Sequence, residues 1–170
     1  ALGALRDDGT RIDLVLTGNR SKYWAEIEHA IEKAGIEDQI HSLGFVSESD
    51  LIALYRLATF VVFPSLFEGG GFPLIEAWDQ STPVACSDTT ALGSKAGDGA
   101  LTFDPESVDD IAMTIERLYT NPELRERLVE QGNERRTEFS WSQTGEFYRS
   151  LYRELGSQLA DQSDEVQRDD

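Results

Sequence analysis

The chain has 170 residues, 39% of them hydrophobic, with a formal net charge of -17 and a sequence pI of 4.4. This content suits one globular domain with a proper core and excludes a disordered chain, while so acidic a surface disfavours bulk binding to nucleic-acid backbones or anionic lipid headgroups. The lone cysteine, Cys86, excludes an intrachain disulfide, and no apolar run approaches membrane-spanning length.

In chain order, Ala1 to Arg6 reads as the tail of a helix. Ile12 to Gly18 reads as a strand ending at a glycine turn. A helix follows with Trp24, Ile27, Ala30, Ile31 and Ala34 on one face, closed by Gly35. Ile40 to Gly44 is a short strand. Ser47, with Asp50 three residues on, starts a helix carrying Leu51, Leu54, Tyr55 and Ala58. Thr59 to Phe63 is nearly all apolar, as in a parallel sheet buried on both faces. After a glycine-rich loop, Pro73 stands where a first helical residue belongs, and the helix runs on through Ala77. Pro83 to Ser87 and Ala100 to Phe103 are further strands. Cys86 lies in the first of these and reads as a small buried hydrophobe rather than a reactive thiol. Asp104 or Ser107 caps a helix through Ile111, Ile115 and Leu118. Helical patterns cover Pro122 to Phe139 and Ser140 to about Leu155. The expected domain spans residues 1–158, followed by an acidic, frayed tail over 159–170.

Strand-helix alternation repeated this often predicts an α/β fold: a Rossmann-like doubly wound parallel sheet flanked by helices, with C-terminal helices. Such sheets bind ligands at the carboxyl ends of their strands. The glycine loop after Phe63 lies at such an end, as does Gly18 after the first strand.

The stretch richest in chemistry is Glu68-Gly69-Gly70-Gly71-Phe72-Pro73-Leu74-Ile75-Glu76. Glycines let a ligand approach the main chain, and a helix N-terminus offers N–H groups and partial positive charge to a diphosphate. Pro73 has no N–H, so Gly71, Phe72 and Leu74 are the expected donors. Glu76 suits ribose hydroxyls and Glu68 suits hydroxyls of a sugar. An ordinary strand-to-helix turn, with Glu76 merely favouring the helix dipole, fits the local residues equally well.

Pro64-Ser65-Leu66-Phe67-Glu68-Gly69-Gly70-Gly71-Phe72-Pro73-Leu74-Ile75-Glu76-Ala77 resembles the Glu-x7-Glu signature of glycosyltransferase family 4, retaining enzymes of the GT-B fold. Thr82-Pro83-Val84-Ala85-Cys86-Ser87 resembles the strand after it, with Ser81 in place of the usual glycine. Leu43-Gly44-Phe45-Val46 resembles the loop that meets the nucleotide base, and Phe139-Ser140-Trp141 the start of the C-terminal helix.

The resemblance implies the donor-binding half of a hexosyltransferase using a nucleoside-diphosphate sugar. Glu76 would bind ribose, and Val46 would meet the base through its main chain. Gly69, Gly70, Gly71, Phe72, Leu74 and Gly18 would complete the donor site. Glu68 would contact the transferred sugar, its catalytic role electrostatic rather than nucleophilic. No metal and no cofactor beyond the donor is expected, and the implied location is cytoplasmic.

The resemblance also implies that a central strand, and the Arg and Lys that follow it to neutralise the diphosphate, precede Ala1. The acceptor would be held by a further N-terminal domain. A gap at the central strand would expose strand edges and invite strand exchange or oligomerisation, and this chain alone is expected to be inactive. A non-catalytic binding module and a nucleotide-sugar 2-epimerase are the alternatives. His29 and His41 read as ordinary surface or structural residues, Trp24, Trp78 and Trp141 as packing residues, and no site residue is assigned over Ala91 to Ser94.

Overall fold

The alternating apolar runs and amphipathic segments fold as parallel strands joined by helices in a computed structural model, which describes residues 1–166. In chain order the elements are α1 (Leu2–Asp7), β1 (Leu14–Thr17), α2 (Trp24–Ala34), β2 (Ile40–Gly44), α3 (Glu48–Leu57), β3 (Val61–Phe63) and α4 (Phe72–Asp79). Next come β4 (Val84–Ser87), α5 (Thr90–Ala96), β5 (Leu101–Phe103), α6 (Val108–Thr120), α7 (Pro122–Arg136) and α8 (Trp141–Val166). Residues up to Arg136 form one compact unit, and α8 belongs to a second that begins at Thr137.

Every strand pairing is parallel, as the buried apolar runs predict. The strands nevertheless divide into two sheets, β1-β2 and β3-β4-β5. Leu14 stands opposite Ile40 in the first, and Val62 opposite Ala85 in the second. Among the described residues β1 pairs only with β2, and β3 only with β4. α1 bridges the two parts. Its Leu5 packs with Ile12 ahead of β1, with Phe60 and Val62 around β3, and with Ala112 and Ile115 of α6.

The core centres on β4, whose residues are all buried. Ala85 packs with Phe103 of β5, Leu118 of α6, and Leu124 and Leu128 of α7. Helix α4 sends Leu74, Ala77 and Trp78 inward at helical spacing, which leaves Glu76 exposed. The Trp78 Nε1–H donates to the Gly99 carbonyl at 3.0 Å, satisfying a buried donor. Of the three tryptophans expected to pack, Trp78 does so; Trp141 is 78% exposed, since it opens α8 at its first turn.

Local signals place the helix ends. Gly35 closes α2 in the left-handed conformation. Ser47 and Ser107 cap α3 and α6, each side chain accepting the N–H three residues on. The end of α4 is a Schellman motif: Thr82 N–H reaches the Ala77 carbonyl and Ser81 N–H the Trp78 carbonyl, both at 2.9 Å. Its left-handed position, which favours glycine, holds Ser81 at φ 55°. Two sequence expectations shift. The helix expected to Phe139 ends at Arg136, and α8 continues helically to Val166, into the segment read as a frayed tail. Positions 167–170 lie outside the described residues.

Two exchanges involving glycine should move stability in opposite directions. Ser81→Gly relieves the left-handed strain and should stabilise the fold by about 1 kcal/mol. Gly132→Ala should destabilise it by about 1–3 kcal/mol despite better helix propensity, because the new methyl would sit 2.4 Å from the Trp78 ring. Urea denaturation of the two variants checks both signs. Cys86 is fully buried, and burial, with a smaller contribution from Asp88, pushes its thiol up to about 12. A thiol-specific chromogenic reagent at pH 8 should therefore label it only after unfolding.

Candidate functional site

The candidate site gathers where β3 and β4 end. The loop from Pro64 leads from β3 to α4, and α5 starts beyond β4 at the carboxyl end of the same sheet. Backbone and side-chain bonds hold the two together. Thr89 Oγ1 donates to the Ser65 carbonyl at 3.2 Å, and Ala91 N–H to the Glu68 carbonyl at 3.3 Å. Gly93 lets the first turn of α5 fold back on the end of β4, because a Cβ there would lie 2.3 Å from the Asp88 carbonyl oxygen.

Gly71 adopts the left-handed conformation at φ 59° and caps α4. This turn directs the N–H groups of Gly70 and Gly71 at the Glu68 carboxylate, whose Oε1 accepts both, at 3.4 and 3.3 Å. These bonds are long, at the weak end of the hydrogen-bond range. The loop thus has an anion-accepting face, on which the protein's own carboxylate rests.

The donor set differs from the sequence expectation. Leu74 is fully buried and its N–H goes to the Gly71 carbonyl at 3.2 Å, within the first turn of α4. Its N–H is therefore spent on the helix itself. Gly70, which was not among the expected donors, joins Gly71 in directing an N–H at Glu68. Gly69 is exposed and the Phe72 ring is 50% exposed beside Gly70. Packing here is tight: a Cβ on Gly70 would meet that ring at 2.7 Å.

Lys95 is the residue that sequence reasoning missed. From the last turn of α5 its Nζ donates to the Gly70 carbonyl and lies 5.8 Å from the centre of the Phe72 ring. A half-buried cation thus stands against the glycine loop. The segment before it, Ala91 to Ser94, carried no assignment, and a lone lysine gives no motif. The available signal was topological, since α5 opens at the same sheet end as the loop.

Glu76 projects from the exposed face of α4, and its Oε2 accepts from the Tyr55 hydroxyl of α3 at 3.1 Å. Burial, reinforced by the Glu76 charge, raises the Tyr55 phenol above its ordinary range, so it remains a donor. Along α3 from Tyr55 lies an open hollow of about 340 Å³ lined by Leu43, Val46, Asp50, Ala53, Leu54 and Leu57. Val46 is half-buried at its edge. Gly18 ends β1, where its N–H donates to the Gly44 carbonyl at 2.8 Å and ties the ends of β1 and β2. Both histidines are exposed, with His41 Nε2 3.5 Å from Asp13 Oδ1.

Residues 1–135 match the family described as Glycosyl transferases group 1. O-antigen chain mannosyltransferase B of Escherichia coli is 35% identical over 131 residues, covering 77% of this chain and 34% of that protein. Sucrose-phosphate synthase from Thermosynechococcus elongatus superposes with a TM-score of 0.77 at 26% identity, covering 89% of this chain and 41% of that one. HepE from Anabaena, determined in complex with UDP, matches with a TM-score of 0.73 at 18% identity, a likeness of fold, over 86% of this chain and 41% of its own. The chain spans about a third of the length of the curated relative it matches. It belongs to the group 1 glycosyl transferase family.

Proposed function

We propose that this chain is the donor-binding half of a retaining hexosyltransferase that takes its sugar from a nucleoside diphosphate. The observation that carries the reading is the glycine turn, where Gly70 and Gly71 N–H groups converge on a carboxylate oxygen. A phosphate oxygen, of higher charge than a carboxylate oxygen, would accept from the same two N–H groups. The turn would then stabilise the negative charge that grows on the leaving diphosphate as the sugar departs, and the Lys95 ammonium, swung from the Gly70 carbonyl, would add to it. This local charge matters on a chain of net charge -17, whose overall field repels phosphate.

The flanking groups complete the donor. Glu76, exposed in the second turn of α4, accepts from ribose hydroxyls. Glu68, released from the turn, accepts from hydroxyls of the transferred sugar. The hollow beside Val46 takes the base. The UDP complex of HepE and the mannosyl transfer named for the Escherichia coli relative support a nucleotide-sugar donor and make mannose the first sugar to test. On this reading the acceptor is held in the part of the relatives' length that the chain does not span, and transfer by the chain alone is absent.

Calorimetric titration with UDP, GDP and ADP tests the proposal. At least one should bind with a millimolar or tighter Kd. Glu76→Ala should weaken it by about tenfold or more, the loss of a charge-assisted pair of hydrogen bonds. Lys95→Gln should weaken the diphosphate but not the corresponding nucleoside, and should flatten the salt dependence. No heat with any of the three nucleotides overturns the reading.

A further inference from the structure

We infer that Tyr55 is a positioning residue, holding the Glu76 carboxylate in the one orientation that receives a ribose. The inference rests on the donor-binding reading of Glu76 given above. It starts from the hydrogen bond that the Tyr55 hydroxyl donates to Glu76 Oε2 at 3.1 Å.

Glu76 is exposed, so water would satisfy its carboxylate as well as a phenol does. What the bond changes is geometry. An exposed glutamate samples many rotamers, whereas a tyrosine has two torsions and a rigid ring. Tyr55 is itself anchored. Its carbonyl accepts the hydroxyl of Thr82 at 2.8 Å, and Thr82 is buried. Its neighbour Arg56 donates from Nε to Gln80 Oε1 at 2.9 Å. α3 is therefore already joined to α4 and to the approach of β4 without the phenol. The Tyr55 hydroxyl is an addition to that joint, aimed at a side chain that faces solvent.

The stoichiometry also fits. A carboxylate offers about four lone-pair sites. Tyr55 occupies one on Oε2 and leaves Oε1 open to two adjacent hydroxyls. Burial and the adjacent carboxylate both keep the phenol protonated, so it remains a donor at every pH the fold tolerates near neutrality.

The test compares Tyr55→Phe with the wild-type chain, using whichever of UDP, GDP and ADP binds best and the matching 2′,3′-dideoxynucleotide. Tyr55→Phe keeps the ring, and thermal melting confirms that the fold survives. The variant should bind the ribonucleotide about threefold to tenfold more weakly, the range expected for losing one oriented hydrogen bond. Its affinity for the dideoxynucleotide should be unchanged, because no hydroxyl is present for Glu76 to receive. In a Glu76→Gln background the Tyr55→Phe exchange should cost far less than alone. Equal weakening towards both ligands would mean that Tyr55 merely supports the fold and would overturn the inference. Full retention of ribonucleotide affinity would overturn it as well, with the donor reading intact. A wild-type chain that binds nucleotides but does not distinguish the ribose from the dideoxyribose form would remove the ribose role of Glu76, and the inference with it. A wild-type chain that binds none of the nucleotides overturns both.

Discussion

The left-handed turn at Gly71 is the constraint on which this structure depends. At φ 59° it converts the loop after β3 into the first turn of α4 within one residue. A side chain here would meet an unfavourable backbone conformation, while its Cβ would stand in ordinary contact with Lys95 and Leu92, at 3.4 and 3.5 Å. The turn fixes the phase of α4. Leu74, Ala77 and Trp78 go into the core, and Glu76 goes to solvent. It also swings the Gly70 and Gly71 N–H groups to one side, towards Glu68. One backbone conformation thus sets the core face of the helix, the anion-accepting face of the loop and the outward carboxylate.

Trp78 makes that phase hard to change. Its indole fills the space against Gly132 of α7 and donates to the Gly99 carbonyl. Rotating α4 would orphan a buried N–H and open a cavity in the same step, and these costs reinforce each other. The site face of α4 is therefore held by packing on the opposite side, at a distance from any ligand. Such a division is expected where a loop must yield to a ligand while its flanking helix must not.

The strand edges tell a different story. β4, flanked on both sides, is completely buried, whereas β3, with an equally apolar sequence, is only half-buried throughout. Val15 of β1 is 46% exposed. All three strands are mostly apolar, and the fully buried β4 is the one with a neighbour paired along each edge. α1 keeps the two sheets, β1-β2 and β3-β4-β5, together through Leu5 and Ile12.

Much of this was legible in the residues. The burial rhythm of α4 and α6, the serine caps of α3 and α6, the left-handed Gly35 and the buried β4 all arise from interactions within a few residues, where periodicity and capping chemistry dominate. Ser81 shows the same logic at a left-handed position that favours glycine, since the turn imposes its φ regardless of the side chain. The sequence also determined the parallel α/β class and the glycine turn that opens α4. Only the tertiary structure decided that Glu68 rests on the Gly70 and Gly71 N–H groups, that Lys95 reaches the loop from 25 residues away, and that Tyr55 meets Glu76 across 21. Those meetings depend on how α3, α4 and α5 pack on the sheet. Packing is a property of the whole hydrophobic core, and no local pattern in the chain encodes it.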